Sequence, residues 1–361
     1  MKLYVLLVCY LCLLYILPIT WVMKIIFAIP AFVLTYIART TPCEEHVDLD
    51  KKAVLITGCD TGIGHELTKR LDSLGFRVFA GCLFQDGPGA CQLRQQCSEN
   101  VKILQLDVTN EEQVATAFKK VQEQLQDSGE NLWGLVNNAA VNGMGEVEWV
   151  SVDAFKTVAE VNLWGTLRVT KAFLPLIRKS KGRIVMMSSM CGLVSFPCTA
   201  PYSVSKYAIE AVSDALRCEM FKWGVNVCII EPGNYAGATR FFQRSTVETF
   251  MKNVWESMSE RVRQDYGREY FDTIVKHLCG FSETGSSDLS PVMRDLTDAL
   301  TSVSPRERYF PAPFSWKFIV SFFLYFPASI TDIVFKISSH WFNLGITINH
   351  HNGTSKSNGK V

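Results

Sequence analysis

The sequence has no excess of charge of either sign. Its 361 residues include 36 Lys and Arg and 35 Asp and Glu, which gives a formal net charge of +1. A protein that holds nucleic acid through phosphate contacts needs a basic face, so this balance predicts no nucleic-acid partner. Apolar residues make up 48% of the chain, and this content excludes low-complexity disorder.

The 12 cysteines lack the spacing of a disulfide framework or a zinc site. No C-x-x-C pairs with a second C-x-x-C or with a pair of histidines, and most of the cysteines are scattered through apolar stretches. We therefore predict free thiols, no metal site, and a globular part that resides in a reducing compartment.

Charge is also scarce in the first 41 residues, where 32 residues are apolar and the only charges are Lys2, Lys24 and Arg39. The first uncharged run is 21 residues long, enough to span a bilayer. It is too long for a signal peptide and lacks a clear small-residue cleavage site. We predict a retained membrane anchor over residues 1–41, either one span or a helical hairpin. A cleaved targeting peptide is the alternative.

From residue 52 onwards, short apolar runs alternate with amphipathic helices. Strands are predicted at 53–57, 77–81, 102–107, 133–138, 183–188 and 225–231, and helices at 65–74, 111–125, 152–176 and 203–223. Strands that alternate with helices of this length form a parallel sheet covered on both faces. The predicted fold is α/β: a single Rossmann-type domain with a doubly wound parallel sheet, preceded by the N-terminal transmembrane segment.

Composition divides the chain further. A polar linker at 42–51 leads into the α/β domain at 52–313, which is followed by an apolar segment at 314–337 and a polar tail at 338–361. The aromatic run 314–326 is too short to span a bilayer. Two interpretations of this run stay open: a helix in the core or in a subunit contact, or a helix on the membrane surface.

A glycine-rich turn follows the first strand and opens the first helix. Its glycines let the backbone turn sharply and approach a pyrophosphate, while the helix N-terminus supplies amide donors. The first strand–helix unit is where dinucleotide binding requires such a turn. The predicted cofactor-binding residues of this turn are Thr57, Gly58, Asp60, Thr61, Gly62, Ile63 and Gly64.

The residues around this turn also bear on the choice of nicotinamide cofactor. A 2′-phosphate needs a basic residue in the glycine turn or at the end of the second strand. Those places hold Cys59-Asp60 and Ala80-Gly81-Cys82-Leu83, without Arg or Lys. The sequence therefore favours NAD, since Asp60 would repel a phosphate. No acidic residue for the ribose is present at Cys82 or Leu83.

Tyr202 and Lys206 are four residues apart on a predicted helix and so share one face. A nearby ammonium stabilises a tyrosinate, and we expect it to lower the pKa of Tyr202. Tyr202 can then exchange a proton with a hydroxyl or a carbonyl. The same spacing also occurs in ordinary amphipathic helices.

Together these elements resemble the short-chain dehydrogenase/reductase family. The resemblance rests on the Thr-Gly-x-x-x-Gly-Ile-Gly turn, on Asn137-Asn138-Ala139 after the fourth strand, and on Asn162, Ser189, Tyr202 and Lys206 in the family's order. It implies that Tyr202 is the general acid/base and that Ser189 orients the substrate oxygen. Lys206 would bind the nicotinamide ribose, and Asn162 would hold a proton-relay water.

The resemblance implies further cofactor contacts. Asp107 matches the family's adenine-contacting acid, and Pro232-Gly233 matches the element that packs against the nicotinamide, whose carboxamide Thr239 would contact. Asn138 and Ala139 belong to the element beside the cofactor. In that element, Ala140 stands where the family usually has glycine.

Within the family, residues of roughly 50–335 are similar to a branch that contains D-β-hydroxybutyrate dehydrogenase, type 2 17β-hydroxysteroid dehydrogenase and membrane retinol dehydrogenases. The stretches that carry this similarity include Lys52-Ala53-Val54-Leu55-Ile56 and Glu231-Pro232-Gly233-Asn234. This implies an NAD-dependent oxidoreductase for a lipophilic secondary alcohol, such as a 17β-hydroxysteroid, or for a retinol-type alcohol. The alternatives are a 3-hydroxybutyrate dehydrogenase and a catalytically silent nucleotide-binding membrane protein.

The anchor and the branch together predict a protein of the endoplasmic reticulum membrane, with a mitochondrial membrane as the alternative. The resemblance implies a homodimer. A substrate lid is expected over 235–280, where apolar side chains suit an apolar ligand, although helix packing explains them equally well. These side chains are Phe241, Phe242, Phe250, Met251, Trp255 and Met258. Arg240 and Arg244 are the cations nearby that a small carboxylate substrate would use.

Overall fold

The computed structural model describes residues 45–239 and 243–341, together with residues 9, 10, 12 and 28–30. Most of the predicted anchor (1–41) and most of the predicted tail (338–361) lie outside the described residues, as do Arg240, Phe241 and Phe242. Among the residues that are described, no helix has the length and apolarity needed to cross a membrane.

Seven parallel strands form one sheet in the order β3-β2-β1-β4-β5-β6-β7. They are β1 (Lys52–Thr57), β2 (Arg77–Cys82), β3 (Val101–Gln105), β4 (Asn131–Asn137), β5 (Arg183–Met187), β6 (Asn226–Ile230) and β7 (Arg308–Tyr309). The predicted single Rossmann-type domain with a parallel sheet is confirmed. β7 was not predicted, because a strand of two residues is too short to show the alternation of apolar and polar side chains that identifies a strand.

Helices connect the strands and extend beyond them. They are α1 (Gly62–Ser73), α2 (Pro88–Gln96), α3 (Glu111–Ser128), α4 (Val152–Ala159), α5 (Thr166–Ser180), α6 (Ala200–Met220), α7 (Arg244–Ser257), α8 (Glu260–Tyr266), α9 (Arg268–Glu283), α10 (Ser290–Thr301), α11 (Phe314–Tyr325) and α12 (Ala328–Trp341). The helix predicted over 152–176 is interrupted by a π-helical turn at Glu160–Gly165. Such turns are frequent at functional sites.

Alternate side chains of the strands supply two hydrophobic cores, one on each face of the sheet. In β1, Val54 and Ile56 pack with side chains of α1, α2 and α10. Ala53 and Leu55 pack with side chains of α3, α5 and α6 on the opposite face. Because successive strand residues point to opposite faces, a strand buried on both sides has a continuous apolar sequence. This explains why β1 was recognisable as a short apolar run.

The residues that precede β1 are fixed to the domain. His46 and Ser302 form an antiparallel bridge. Val47 N donates to Thr301 O at 2.7 Å, and Val303 N donates to Glu45 O at 2.9 Å. The polar linker predicted over 42–51 is thus bonded to the domain through residues 45–47. Backbone groups that gain partners in this way hold the segment against the amino-terminal edge of the sheet.

Gly64 in α1 has no room for a side chain. A Cβ at this position would lie 2.4 Å from Gly58 O and 2.6 Å from Asn138 Nδ2. We expect Gly64→Ala to lower the free energy of unfolding by about 1–3 kcal/mol, because backbone atoms must move apart. Chemical denaturation followed by circular dichroism measures this change.

Gly280→Ala is the matched control, since a Cβ at Gly280 in α9 meets no atom within 4 Å. Alanine stabilises a helix interior relative to glycine, so this variant should be as stable as the parent or more stable. Equal losses of stability in the two variants would contradict the crowding described at Gly64.

Candidate active site

The site lies where the sheet order reverses. β1 pairs with β2 on one side and with β4 on the other, and the connections that follow these strands diverge to opposite halves of the sheet. In doubly wound folds this leaves a crevice at the carboxyl ends of the strands. A cavity of 1410 Å³ occupies this position, and residues that follow β1, β4, β5 and β6 all line it.

The glycine turn forms one wall of the cavity. Gly58 has a φ of +71°, and a Cβ there would lie 2.8 Å from Ala139 Cα, so the turn requires glycine for both conformation and space. α1 begins at Gly62, and the side chain of Thr61 before it makes no capping hydrogen bond. The first amides of α1 therefore keep their capacity to bind an anion, which fits a pyrophosphate. The predicted residues in this wall are Gly58, Asp60, Thr61, Gly62 and Ile63.

A set of hydrogen bonds ties the turn to the end of β4. Thr57 Oγ1 accepts from Asn138 N at 3.0 Å and from Ala139 N at 2.9 Å. Asn138 Nδ2 in turn donates to Thr57 O at 2.9 Å and to Gly58 O at 3.1 Å. Asn138 and Ala139 line the cavity, whereas Thr57 and Gly64 lie behind its wall. These last two residues therefore shape the turn from behind.

Asp60 places a negative charge at the end of β2. Its carboxylate accepts hydrogen bonds from Leu83 N at 2.8 Å and from Phe84 N at 3.1 Å. Neither Cys82 nor Leu83, at the end of β2, is acidic. The Asp60 carboxylate reaches this position through space from the glycine turn. A carboxylate here suits a free ribose hydroxyl and opposes a 2′-phosphate.

Asp107 borders the same end of the cavity. Its Oδ1 accepts from Thr109 N at 2.9 Å and from Thr109 Oγ1 at 2.7 Å. Asp107 therefore shapes the turn after β3, while the cap of α3 is supplied by Asn110, whose side chain accepts from Gln113 N.

Ser189, Tyr202 and Lys206 share the opposite wall. Ser189 follows β5, and its Oγ accepts from Cys191 N at 3.2 Å. Lys206 is 3% exposed, and its Nζ donates to Met187 O at 2.7 Å. The structure thus brings together three of the four residues expected to carry the chemistry.

The expected lowering of the pKa of Tyr202 was wrong for this structure. Burial raises the pKa of Tyr202 well above its ordinary value, and the Cys191 thiol adds to this, while a hydrogen bond with Ser189 opposes it. Lys206 Nζ lies 5.5 Å from the centroid of the Tyr202 ring and donates to the end of β5. The effect of desolvation on the pKa of Tyr202 therefore exceeds the opposing effect of the hydrogen bond with Ser189. Burial also lowers the pKa of Lys206, to about 8.

Asn162 lies in the π-helical turn and outside the cavity wall. Its Oδ1 accepts from Val141 N at 2.7 Å, and its Nδ2 donates to Val141 O and Ser205 Oγ, both at 2.9 Å. The side chain thus fixes the segment after β4, whose Val141 and Ala140 line the cavity. The role in holding a proton-relay water stays a prediction.

Pro232, Gly233 and Thr239 complete the floor after β6. Pro232 O accepts from Met190 N at 3.0 Å, and Gly233 N donates to Pro311 O at 3.1 Å. Thr239 Oγ1 donates to Tyr235 O at 3.2 Å. The Thr239 methyl would lie 3.6 Å from a Cβ built on Gly62, so Thr239 reaches the glycine turn across the cavity.

The substrate lid over 235–280 stays a prediction, and the structure separates the side chains of this segment into those that line the cavity and those that do not. Met251, Met258, Phe250 and Trp255 pack into a separate cluster around Trp149 and Phe271 and do not line the cavity. Helix packing is therefore the correct interpretation of these four side chains. The exposed Arg244 binds Glu248 and Glu283 at 2.9 and 3.0 Å and also lies away from the cavity.

The part of the wall that was not predicted from the sequence comes from α11, whereas the lining residues of α9 up to Gly280 lie within the predicted lid over 235–280. Trp316, Ile319 and Phe323 of α11 line the cavity, and Trp316 packs edge-on against Phe196 and Phe281. α9 adds further lining residues, which are Ile274, Lys276, His277, Leu278, Gly280 and Phe281. The apolar run 314–326 was the available signal, but sequence alone did not show which cavity it closes.

Comparisons with known proteins agree with this geometry. The family model described as short chain dehydrogenase matches residues 52–248. The mouse mitochondrial D-beta-hydroxybutyrate dehydrogenase is 44% identical over 286 residues, which are 79% of this chain and 83% of that protein. The mouse estradiol 17-beta-dehydrogenase 2 is 38% identical over 318 residues, covering 86% of this chain and 80% of that protein.

Among solved structures, a short chain dehydrogenase/reductase from Burkholderia phymatum in complex with NAD superposes with a TM-score of 0.62. It covers 80% of this chain and 96% of that chain, at 20% identity. This similarity supports the fold.

Asp60→Asn tests the charge at the end of β2. The amide keeps the size of the side chain and one acceptor but removes the charge, so we expect the ratio of NAD to NADP affinity to fall at least about tenfold. Quenching of tryptophan fluorescence by each dinucleotide measures both affinities. Asp86→Asn removes a charge from an exposed acid nearby and should leave the ratio unchanged. The same ratio in both variants would contradict this role of Asp60.

Proposed function

The chain belongs to the short-chain dehydrogenase family, and we propose that it is an NAD-dependent oxidoreductase that interconverts a lipophilic secondary alcohol and its ketone. The observation that carries this proposal is the shared cavity. The glycine turn and the charge of Asp60 form one wall, and Ser189, Tyr202 and Lys206 form the other. The close backbone approach at Gly58 and Gly64 and the backbone amides of α1 that no side chain caps both fit a bound dinucleotide.

We assign the roles as follows. Tyr202 takes the hydroxyl proton of the alcohol in oxidation and returns it in reduction. Ser189 orients the substrate oxygen, and the ammonium of Lys206 binds the nicotinamide ribose and stabilises the Tyr202 anion. A nicotinamide held in this cavity would supply the hydride acceptor for the carbinol carbon. Asn162 supports the segment after β4 beside this centre.

The substrate proposal rests on the cavity lining. Aromatic side chains converge around Trp316, which Phe196 and Phe281 contact, and such a lining suits the apolar body of a steroid or retinoid. The relative with estradiol in its name spans 86% of this chain. We therefore propose a hydroxysteroid as the substrate class, or a retinol-type alcohol, which is primary and would give an aldehyde instead of a ketone.

A 3-hydroxybutyrate dehydrogenase is the second candidate. The mouse enzyme of that name is 44% identical to this chain, and Lys276 and His277 of α9 border the cavity, where a cation would attract a carboxylate.

We also propose that the protein is anchored to a membrane through residues 1–41, in the endoplasmic reticulum or in mitochondria. Several large apolar side chains of α11, α12 and the turn between them support contact with a lipid surface because they are exposed. They include Phe314, Phe318, Tyr325, Phe326, Ile333 and Ile337. A surface of this kind is favourable at the boundary of headgroups and acyl chains. We therefore favour the membrane-surface interpretation of the run 314–326.

A homodimer is part of the same proposal. Exposed apolar side chains on α4, on the π-helical turn and on α6 support it, namely Val152, Trp164, Val204 and Tyr207. Side chains of this size are enriched in the centres of subunit interfaces.

Tyr202→Phe tests the assignment of the acid/base. Removing the phenolic hydroxyl should lower the turnover number at least about 100-fold while NAD still binds. Formation of NADH, followed by absorbance with steroid, retinol and 3-hydroxybutyrate substrates, measures turnover and selects the substrate class. Tyr207→Phe is the control, because this hydroxyl lies on the same helix but donates to Leu193 O at 2.6 Å. Turnover retained in Tyr202→Phe would exclude Tyr202 as the acid/base.

Deletion of residues 1–41 tests the two membrane contacts separately. We expect the shortened protein to leave isolated membranes but to bind phosphatidylcholine vesicles weakly through α11 and α12. Phe318→Ser with Tyr325→Ser should reduce this partition at least about tenfold, given the free energy of burying large apolar side chains. Vesicle flotation measures the partition.

The control pair for flotation is Phe221→Ser with Trp223→Ser, which removes two exposed aromatics elsewhere on the surface. This pair should float like the shortened parent. An equal loss in both pairs would show nonspecific adsorption rather than docking by α11 and α12.

A further inference from the structure

A cluster of charged side chains lies next to the proposed centre. Arg308 of β7 donates through Nη1 to Glu210 Oε2 and to Glu231 Oε1, both at 2.5 Å, and through Nη2 to Asp214 Oδ2 at 2.9 Å. Glu210 and Glu231 are 8% and 4% exposed. Three carboxylates thus surround one guanidinium, and two of them are buried. The roles assigned above use none of these four residues.

Glu210 connects this cluster to Lys206. The two residues are four positions apart on α6, so they lie on the same helix face. Burial lowers the pKa of Lys206 to about 8, and the charge of Glu210 is the largest opposing influence, followed by that of the Cys191 thiol. Glu210 is therefore the main group that favours the charged form of Lys206.

The packing around Gly192 brings the cluster close to the cavity. A Cβ on Gly192 would lie 2.5 Å from Ser188 Oγ, 3.1 Å from Lys206 O and 3.2 Å from Glu210 Cγ. Ser188 lines the cavity. The lack of a side chain at Gly192 therefore lets α6 approach the end of β5, with Glu210 adjacent to the residue that precedes Ser189.

The groups around Glu210 determine its own charge. Burial raises the pKa of Glu210, whereas the Ser188 hydroxyl and Arg308 lower it and Asp214 raises it. Burial and the neighbouring Glu210 raise the pKa of Glu231 to about 7, against the influence of Arg308. Arg308 thus favours the ionised forms of both carboxyls, against the effect of their burial.

We propose that Glu210 is a positioning residue that acts through Lys206: its carboxylate, held by Arg308, maintains the ammonium that the reaction uses. The inference rests on the proposed function, because that function assigns Lys206 its role. A buried lysine without a counter-charge loses its proton near neutral pH, and Tyr202 then loses its support.

Glu210→Gln tests this inference, because the amide keeps the shape and removes the charge. Without the carboxylate, Lys206 deprotonates more readily, so the alkaline fall in kcat/KM and in NADH affinity should move to lower pH by about one unit or more. We expect the fall in the parent to centre near pH 8, close to the lowered pKa of Lys206. Activity assays and fluorescence titrations of NADH across pH 6–10 give the two profiles.

Two further variants separate charge from structure. Asp214→Asn removes a carboxylate from the same guanidinium at a half-exposed position, 45% exposed in its side chain, and should leave the profiles in place. Glu210→Asp keeps the charge and should also stay close to the parent. If Glu210→Gln does not fold, Glu210→Ser removes the same charge with a smaller side chain and carries the same expectation, and profiles that stay in place in that variant overturn the proposal.

The outcomes of the two readouts are distinguishable. If Glu210→Gln shifts neither profile relative to Asp214→Asn, the role of Glu210 is overturned while the proposed function stands. If the parent oxidises no alcohol but its NADH-binding profile still moves in Glu210→Gln, the proposed function fails and the action of Glu210 on Lys206 stands.

Discussion

Thr57 at the end of β1 accepts two backbone hydrogen bonds from the end of β4, and the geometry of the site is built around this contact. It brings the glycine turn so close to Ala139 that a side chain on Gly58 has no space. The wall for a dinucleotide therefore follows from the pairing of two central strands. Asn138 strengthens the same contact from the other side, since its amide donates to two carbonyls of the turn. A rigid sheet thus defines a site whose remaining walls come from longer and more variable connections.

The opposite wall depends on the desolvation of charged and polar groups. Lys206 is buried, and its neighbours determine whether it is charged at neutral pH. Buried ionisable groups whose pKa values depart from their ordinary range are typical of sites that move protons. In this chain, burial raises the pKa of the Tyr202 phenol and lowers the pKa of the Lys206 ammonium. The charge state of each group thus depends on its surroundings: Cys191 acts on both groups, and Glu210 acts on Lys206.

The sequence predicted most of the sheet and the walls that its strands supply. Strands such as β1 and β5 are short apolar runs, and the residues after them are fixed by the chain direction, so the glycine turn and Ser189 could be placed in advance. The aromatic wall from α11 could not, because an apolar helix gives the same periodicity against a core, a cavity or a lipid. Met251 and Trp255 are the opposite case. Their apolar side chains suited a ligand, yet they pack against a cluster that contains Trp149 and Phe271.

The bridge between His46 and Ser302 has a consequence for orientation. It fixes the chain at the amino-terminal edge of the sheet, where Arg183 at the start of β5 donates to Ser302 O at 2.9 Å. α11 lies at the opposite edge, because it lines the cavity at the carboxyl ends of the strands. The chain therefore enters the domain at the end of the sheet that is remote from the cavity, while α11 closes the cavity at the other end.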